Sequence, residues 1–216
     1  MARVDGFFSN FRGSIGDITF YVVNGVTYAR KKSGPIKRQK TDLVKLNNKK
    51  FGMTSRFLSP ISEPIALGYK DFKKGKRTAR NVAMKYIRNN AISGGGRDPL
   101  KIEPHLVKVS RGSLVGVENP QVEWTDEQHV KFTWENNSGQ FRAFRSDRIM
   151  VVLYDFDRRY AEFDLKNGYR SLQEQVLEVH SPEKSRGKMH AYISVYRKND
   201  RQDCLEVSDS QYVGVI

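Results

Sequence analysis

The sequence predicts an α+β, mainly β chain: an N-terminal β-hairpin with a two-helix basic module, then a C-terminal antiparallel β-sandwich of the immunoglobulin/fibronectin type. Three observations predict it. Two runs rich in β-branched and aromatic residues, Ile18–Val23 and Val26–Arg30, are closed by Asn24-Gly25. Between Thr41 and Ile92, apolar residues recur three and four positions apart, the helical period. From residue 101 onward, seven or eight short alternating runs are separated by turn residues, the pattern of a sandwich.

The first seventeen residues hold Phe7, Phe8 and Phe11, then Gly13 and Gly16. Three phenylalanines so close together are predicted to pack beneath the hairpin or into a neighbouring subunit. Asn-Gly favours a two-residue turn because both residues accept positive φ. Ile18, Phe20 and Val22 share one strand face, and Thr19, Tyr21 and Val23 share the other. Two strands alone are marginal, so the hairpin is expected to dock on the helices that follow or on another protein. Phe7, Phe8, Phe11, Phe20, Tyr21 and Tyr28 form the candidate assembly interface. The chain then turns basic. Arg30, Lys31, Lys32, Lys37, Arg38 and Lys40 fall together without an acid, and Ser33-Gly34-Pro35 breaks the strand. This segment reads as a phosphate-contacting arm or as a solvated loop.

Thr41 or Asp42 caps the first predicted helix, whose apolar positions include Leu43, Leu46, Phe51, Phe57 and Leu58; Pro60 and Pro64 mark its end. A second basic cluster, Lys73, Lys74, Lys76, Arg77 and Arg80, lies at the start of the next helix. Thr78 is its expected cap, and Val82, Ala83, Tyr86, Ile87 and Ala91 are its apolar stripe. Cations at a helix N-terminus oppose the macrodipole, a conflict that a bound polyanion or a nearby carboxylate relieves. The Gly94-Gly95-Gly96 run follows a helix instead of opening one, which excludes a phosphate-binding glycine loop.

A boundary is expected near Gly94–Pro104, dividing the chain into 1–100 and 101–216. Beyond it, Leu106–Arg111, Gln121–Trp124, Val130–Glu135, Arg148–Tyr154, Ala161–Leu165, Gln173–Val179, Met189–Arg197 and Tyr212–Ile216 read as strands. Asn136–Gly139, Lys166–Gly168 and Arg197–Arg201 read as turns, and no helix is required. Val130, Phe132 and Trp134 alternate toward one face, as do Ala191, Ile193 and Val195.

The formal net charge is +14 over 216 residues. Residues 1–100 hold 21 Lys and Arg against 6 Asp and Glu, while residues 101–216 hold 17 against 18. Such asymmetry points to a polyanion partner for the N-terminal half. One cysteine, Cys204, excludes an intramolecular disulfide. No signal-peptide core or membrane span is legible, so a cytoplasmic location is expected, with membership of an assembled or exported particle as the alternative. His105, His129, His180 and His190 are scattered and lack metal-ligand spacing. Asp155 and Asp157 beside Arg158 and Arg159 read as turn formers in preference to a calcium loop. No catalytic motif is present. The expectation is a non-enzymatic protein without cofactor or metal.

The stretches FRGSIGDITFYVVNGVTYAR (11–30), KFGMTSRFLSPI (50–61), NVAMKYIRNNAI (81–92), VSRGSLVGVENPQV (109–122) and SDSQYVGVI (208–216) carry a resemblance over nearly the whole chain. In their order and spacing the sequence resembles an uncharacterised domain-of-unknown-function family typical of Bacteroidota, number 6266. The resemblance implies a shared architecture, a hairpin-and-helix module plus a sandwich, and no activity. The basic Thr41–Lys50 segment departs from the acidic or glutamine-rich helix start common in that family.

The first functional expectation is a structural or interaction protein whose N-terminal module binds a polyanion, nucleic acid first. Its contacts would be Arg30, Lys31, Lys32, Lys37, Arg38, Lys40, Lys73, Lys74, Lys76, Arg77 and Arg80. Tyr21, Tyr28, Tyr69, Phe72 and Tyr86 interleave with these clusters, but no named nucleic-acid motif appears, so backbone contact is expected over base reading. The rival is a self-assembling subunit of a filament, phage-like or surface particle, joined through the Phe-rich segment and hairpin. A weaker alternative is a carbohydrate-binding sandwich using Trp124, Trp134, Tyr154 and Tyr160, of which Trp134 alternates onto the core face.

Overall fold

The Asn24-Gly25 hairpin forms inside a larger sheet. The computed structural model describes residues 2–6, 10–34, 41–72, 77–95, 98–199 and 204–216. Strands β3 (Ile18–Val23) and β4 (Val26–Lys31) pair through the predicted turn, with Asn24 at φ 52° and Gly25 at φ 77°. Two three-residue strands flank them. β1 (Ala2–Val4) pairs with β4 and β2 (Gly13–Ile15) with β3, giving an antiparallel sheet in the order β1-β4-β3-β2. The sequence pattern missed both, because three residues cannot display an alternation. The hairpin is expected to dock on the following helices or on another protein; no residue of this sheet belongs to either apolar core described below.

Helix α1 (Asp42–Leu58) is capped by Thr41, whose hydroxyl accepts from the Val44 amide at 3.4 Å. After Ser59-Pro60 come α2 (Ser62–Gly68) and a 3-10 turn at Lys70–Phe72. Helix α3 (Ala79–Asn90) is capped by Thr78, which accepts from Asn81 at 3.2 Å. The glycine run, near which a boundary is expected, enters a hairpin, β5 (Ile92–Gly95) with β6 (Asp98–Ile102). Gly94 at φ 80° and Gly95 at φ 112° take conformations that a side chain would strain.

The remaining strands are β7 (Glu118–Trp124), β8 (His129–Glu135), β9 (Arg148–Asp155), β10 (Tyr160–Tyr169), β11 (Glu174–Glu178), β12 (Met189–Asn199), β13 (Cys204–Val207) and β14 (Gln211–Val215). They form a three-stranded sheet, β11-β8-β7, and a five-stranded sheet, β10-β9-β12-β13, in which β14 also pairs with β12. All these pairings are antiparallel. Four sequence expectations need correction. Leu106–Arg111 is not a strand. It leaves a 3-10 turn at Pro104–Leu106 and is held by hydrogen bonds to Ser208 and Ser210. β13 was not anticipated. A four-residue helix, α4 (Pro182–Ser185), interrupts the β region. Lys166–Gly168 is a bulge within β10, where the Asp164 carboxylate accepts the Lys166 amide at 2.9 Å.

The five-stranded sheet is covered on both faces. One face sets Ile149, Val151, Leu153, Ala191, Ile193 and Val195 against Val130, Phe132, Trp134 and Leu177 of the smaller sheet. The other sets Met150, Val152, Tyr154, Tyr192 and Tyr196 against Phe57, Leu58, Ile61, Ile65 and Ile87 of the helices. A strand buried on both faces reads as a continuous apolar run, which explains RIMVVLY at 148–154. The layers are therefore helices, five strands and three strands, and the helical core joins residues on both sides of position 100.

Two polar ties fix the loops around this core. Arg170 and Asp147 are fully buried, with Nε 3.2 Å from Oδ2. Arg170 also donates to Val115 O at 2.7 Å, to Gly116 O at 2.8 Å and to Asn137 Oδ1. Arg197 adds a second guanidinium to Asp147 at 2.6 Å. Burial pulls the Arg170 pKa below its usual value, and the Asp147 carboxylate opposes that shift. The second tie joins two stretches that carry the family resemblance. Ser210 Oγ accepts from Val109 N at 2.9 Å, Ser110 Oγ donates to Ser208 O at 2.8 Å, and Gln211 Nε2 donates to Val117 O at 3.0 Å.

Candidate polyanion-binding surfaces

The predicted cations separate into three settings. Arg30, Lys31 and Lys32 are exposed where β4 ends. The Arg30 guanidinium stands 5.8 Å over the Tyr21 ring, and Tyr21 packs against Tyr28 at 5.9 Å. On the other face, Phe11 meets Phe20 edge-on at 5.2 Å. Arg80 points into the molecule. It donates to Leu58 O at 3.1 Å and Ser55 O at 2.8 Å, satisfying carbonyls of the last turn of α1. Arg77, three residues earlier, is exposed and lines a groove. Phe7, Phe8, Lys37, Arg38, Lys40, Lys73, Lys74 and Lys76 lie outside the described residues.

That groove, of about 380 Å³, runs along α3. The amphipathic period of α3 turns Ala83, Met84 and Ile87 into the core and leaves Asn81, Lys85 and Asn89 as an outward stripe, four residues apart. Arg77 extends the stripe at one end, and Arg111 closes the side. Arg111 lies 4.7 Å from the Tyr86 centroid and 5.6 Å from that of Phe72, so its guanidinium is within cation–π reach of both rings. Among the described residues, no carboxylate lines this groove.

A larger groove, of about 700 Å³, opens on the helix side of the five-stranded sheet. Lys70, Arg148, Lys166, Arg197 and Lys198 line it with Tyr169 and Tyr196, and among the described residues no carboxylate joins them. Arg148 and Tyr169 are register partners across β9 and β10, which sets the guanidinium 5.3 Å over the ring. The sequence reading found none of these cations, since they come from four separate segments, three of them in a half whose charges balance. Lys85 and Arg111 were missed too. For Lys85 a signal existed, the i, i+4, i+8 spacing of Asn81, Lys85 and Asn89.

A third groove, of about 600 Å³, between α1 and the β5–β6 hairpin carries Lys49 and Arg56 beside Leu46, Met53 and Leu100, with Asp98 among its lining. The proposed sugar platform is not on the surface as a unit: Trp134 and Tyr154 are buried in the two cores. Asp155 accepts from the amides of Asp157 and Arg158, both at 2.9 Å, as a turn former. Among the described residues, no group of three or more His, Cys, Asp or Glu is placed to hold a metal, and no helix is long and apolar enough to cross a membrane.

The model of a family of unknown function, DUF6266, matches residues 10–214. The chain belongs to that family, as the resemblance of its sequence implied. No curated protein and no solved structure matches it.

Proposed function

We propose, for this member of a family without a known function, a non-enzymatic binding protein that holds a polyanion, nucleic acid backbone first, on the cationic face beside α3. The observation that carries the reading is the Arg77–Lys85–Arg111 groove, where three cations and an aromatic floor meet without a carboxylate. The net charge of +14 and its concentration in residues 1–100 support it. Arg30, Lys31 and Lys32, exposed at the end of β4, add to the positive charge of residues 1–100. A reducing compartment such as the cytoplasm fits the single cysteine.

The test is fluorescence anisotropy of the full chain with a labelled oligonucleotide over a salt series. Binding should fall linearly in log–log form as counterions are released. Arg77→Ala with Lys85→Ala should reduce the slope by about 1.5 on a single strand, from about 0.7 per phosphate contact. Wild-type protein that binds no oligonucleotide at about 50 mM salt, where such contacts are strongest, sinks the reading.

Two finer readings accompany it. The chain visits the small sheet (β7, β8), the large one (β9, β10), the small (β11), then the large (β12, β13, β14). That order supports a fibronectin-like sandwich, in which the fourth strand stays beside the third. Self-assembly is the second functional reading, favoured by the separateness of the β1–β4 sheet from both cores and by Ile15 and Ile18, 54% and 45% exposed. Light-scattering mass that stays monomeric up to millimolar concentration would rule it out.

A further inference from the structure

Arg111 at the edge of the α3 groove stacks on Phe72, and Lys70, two residues earlier in the same 3-10 turn, lines the larger groove. The two grooves therefore approach one another at this turn, which also carries the exposed Asp71 between Lys70 and Phe72. We infer that they form one continuous track for a single-stranded nucleic acid, running from Arg77 and Lys85 past Arg111 and Lys70 to Arg148 and Lys166. The inference rests on the polyanion reading above and extends it in two ways: it adds a second contact region on the sheet, and it names the strandedness of the ligand.

Two features select a single strand. The first is shape. Both contact regions are concave, whereas a duplex presents its phosphates on a stiff convex cylinder and keeps its bases stacked inside. A flexible strand can follow grooves and turn its bases out. The second is the repeated pairing of a flat guanidinium with an aromatic ring, Arg111 with Tyr86 and Phe72 in one groove and Arg148 with Tyr169 in the other. Unstacked bases pack on aromatic rings and on guanidinium planes, and cations beside them take the phosphates. Arg148 is additionally fixed by donating to Lys166 O at 3.2 Å, so its plane is set before any ligand arrives. Of the acids adjoining the groove's lining in sequence, Asp147 is buried between Arg170 and Arg197, Glu206 is engaged by Arg197 at 3.3 Å and Arg142 at 3.6 Å, and Asp71 is exposed beside Lys70.

The experiment uses the full chain and a labelled thymidine oligonucleotide of about 20 nucleotides, beside a duplex of equal length, over the same salt series. Arg148→Ala with Lys166→Ala is compared with Arg77→Ala with Lys85→Ala. Lys166→Glu alone serves as the second variant, because its exposed bulge position makes loss of folding a poor explanation of lost binding. Each double variant is expected to reduce the single-strand slope by about 1.5 and to weaken binding at least tenfold at low salt. The single strand is expected to bind at least tenfold tighter than the duplex. Wild-type affinity and slope in Arg148→Ala/Lys166→Ala and in Lys166→Glu, with binding still weakened by the α3 pair, overturns the track and leaves the α3 site standing. Duplex binding as tight as single-strand binding overturns the strandedness. Failure of wild-type protein to bind either probe overturns the underlying reading itself.

Discussion

Replacing Arg170 by methionine removes the guanidinium at the centre of the buried loop tie while keeping an unbranched apolar stem. Asp147 would retain Arg197 and the Phe144 amide at 2.9 Å, so its charge is not left alone. Val115 O and Asn137 Oδ1 would lose a charged donor, and Gly116 O would keep only the Asn137 amide at 3.0 Å. Removing one partner of a buried pair costs about 3–5 kcal/mol when the other charge is stranded. With Arg197 still in place, the lower end, about 3 kcal/mol, is expected. For a chain of this size, that is a drop in Tm of roughly 6–12 °C. Asp147→Asn should cost more, because it leaves Arg170 fully buried without a counter-charge. The double variant should cost less than the sum of the singles, with a coupling of about 0.5–3 kcal/mol. Urea unfolding followed by tryptophan fluorescence measures each, and Trp134, whose Nε1 donates to Arg170 O at 3.0 Å, reports on the site directly. A cost below about 1 kcal/mol for Arg170→Met at unchanged m, or strict additivity of the pair, would refute the reasoning.

Gly52→Ala in α1 should stabilise by about 0.4–1 kcal/mol, since the added Cβ meets nothing nearer than Arg56 Nη1 at 3.9 Å and the helix loses a flexible residue. Gly68→Ala, in the same thermal melts, should destabilise by about 1–3 kcal/mol, because its Cβ would lie 2.5 Å from Val109 O. Arg80→Ala should lower stability by about 1.5–3 kcal/mol through its lost bonds to α1, yet change oligonucleotide affinity less than twofold, against a tenfold loss for Arg77→Ala/Lys85→Ala. His190 packs edge-on to Phe156 at 4.9 Å, and burial lowers its pKa against the opposing pull of Asp155 and Asp157. The unfolded chain therefore binds the proton more readily, so the contribution is complete above the unfolded value of about 6.5 and is lost as pH falls below it. His190→Gln should flatten that limb of a stability–pH curve.

What was legible in the sequence follows from range. The turn at Asn24-Gly25, the caps at Thr41 and Thr78 and the alternation of β8 all depend on neighbours within four residues, and each formed where expected. The three-residue strands β1 and β2 exist only because the hairpin offers them edges. Leu106–Arg111 alternates like a strand but finds the Ser210 hydroxyl and the Ser208 carbonyl in place of a ladder, a choice made about a hundred residues away. Arg170 gave no local sign of burial, since its partners lie in four other segments. The cations of the candidate surface divide in the same way. Arg77 stood in a visible cluster, whereas Arg148 meets Tyr169 only through the register of two strands.

Counting charge along the chain also misplaces the field it makes. Residues 101–216 are nearly neutral in sum, yet they contribute most of the cations to the larger carboxylate-free groove. Five of the acids of that half, Glu118, Glu123, Glu135, Glu174 and Glu178, are exposed along the three-stranded sheet. That sheet packs on the side of the central sheet away from the helices, whereas the groove shares Tyr196 and Leu205 with the helical core. Stacked sheets lie about 10 Å apart, close to the screening length of about 8–10 Å at moderate salt. Carboxylates beyond that layer therefore do little to cancel Arg148 and Lys166 at the groove. The fold thus sets these five carboxylates and the groove's cations on opposite sides of the central sheet. A polyanion approaching the helix side meets the cations of both halves of the chain together, which is why the sheet residues belong in the same binding test as α3.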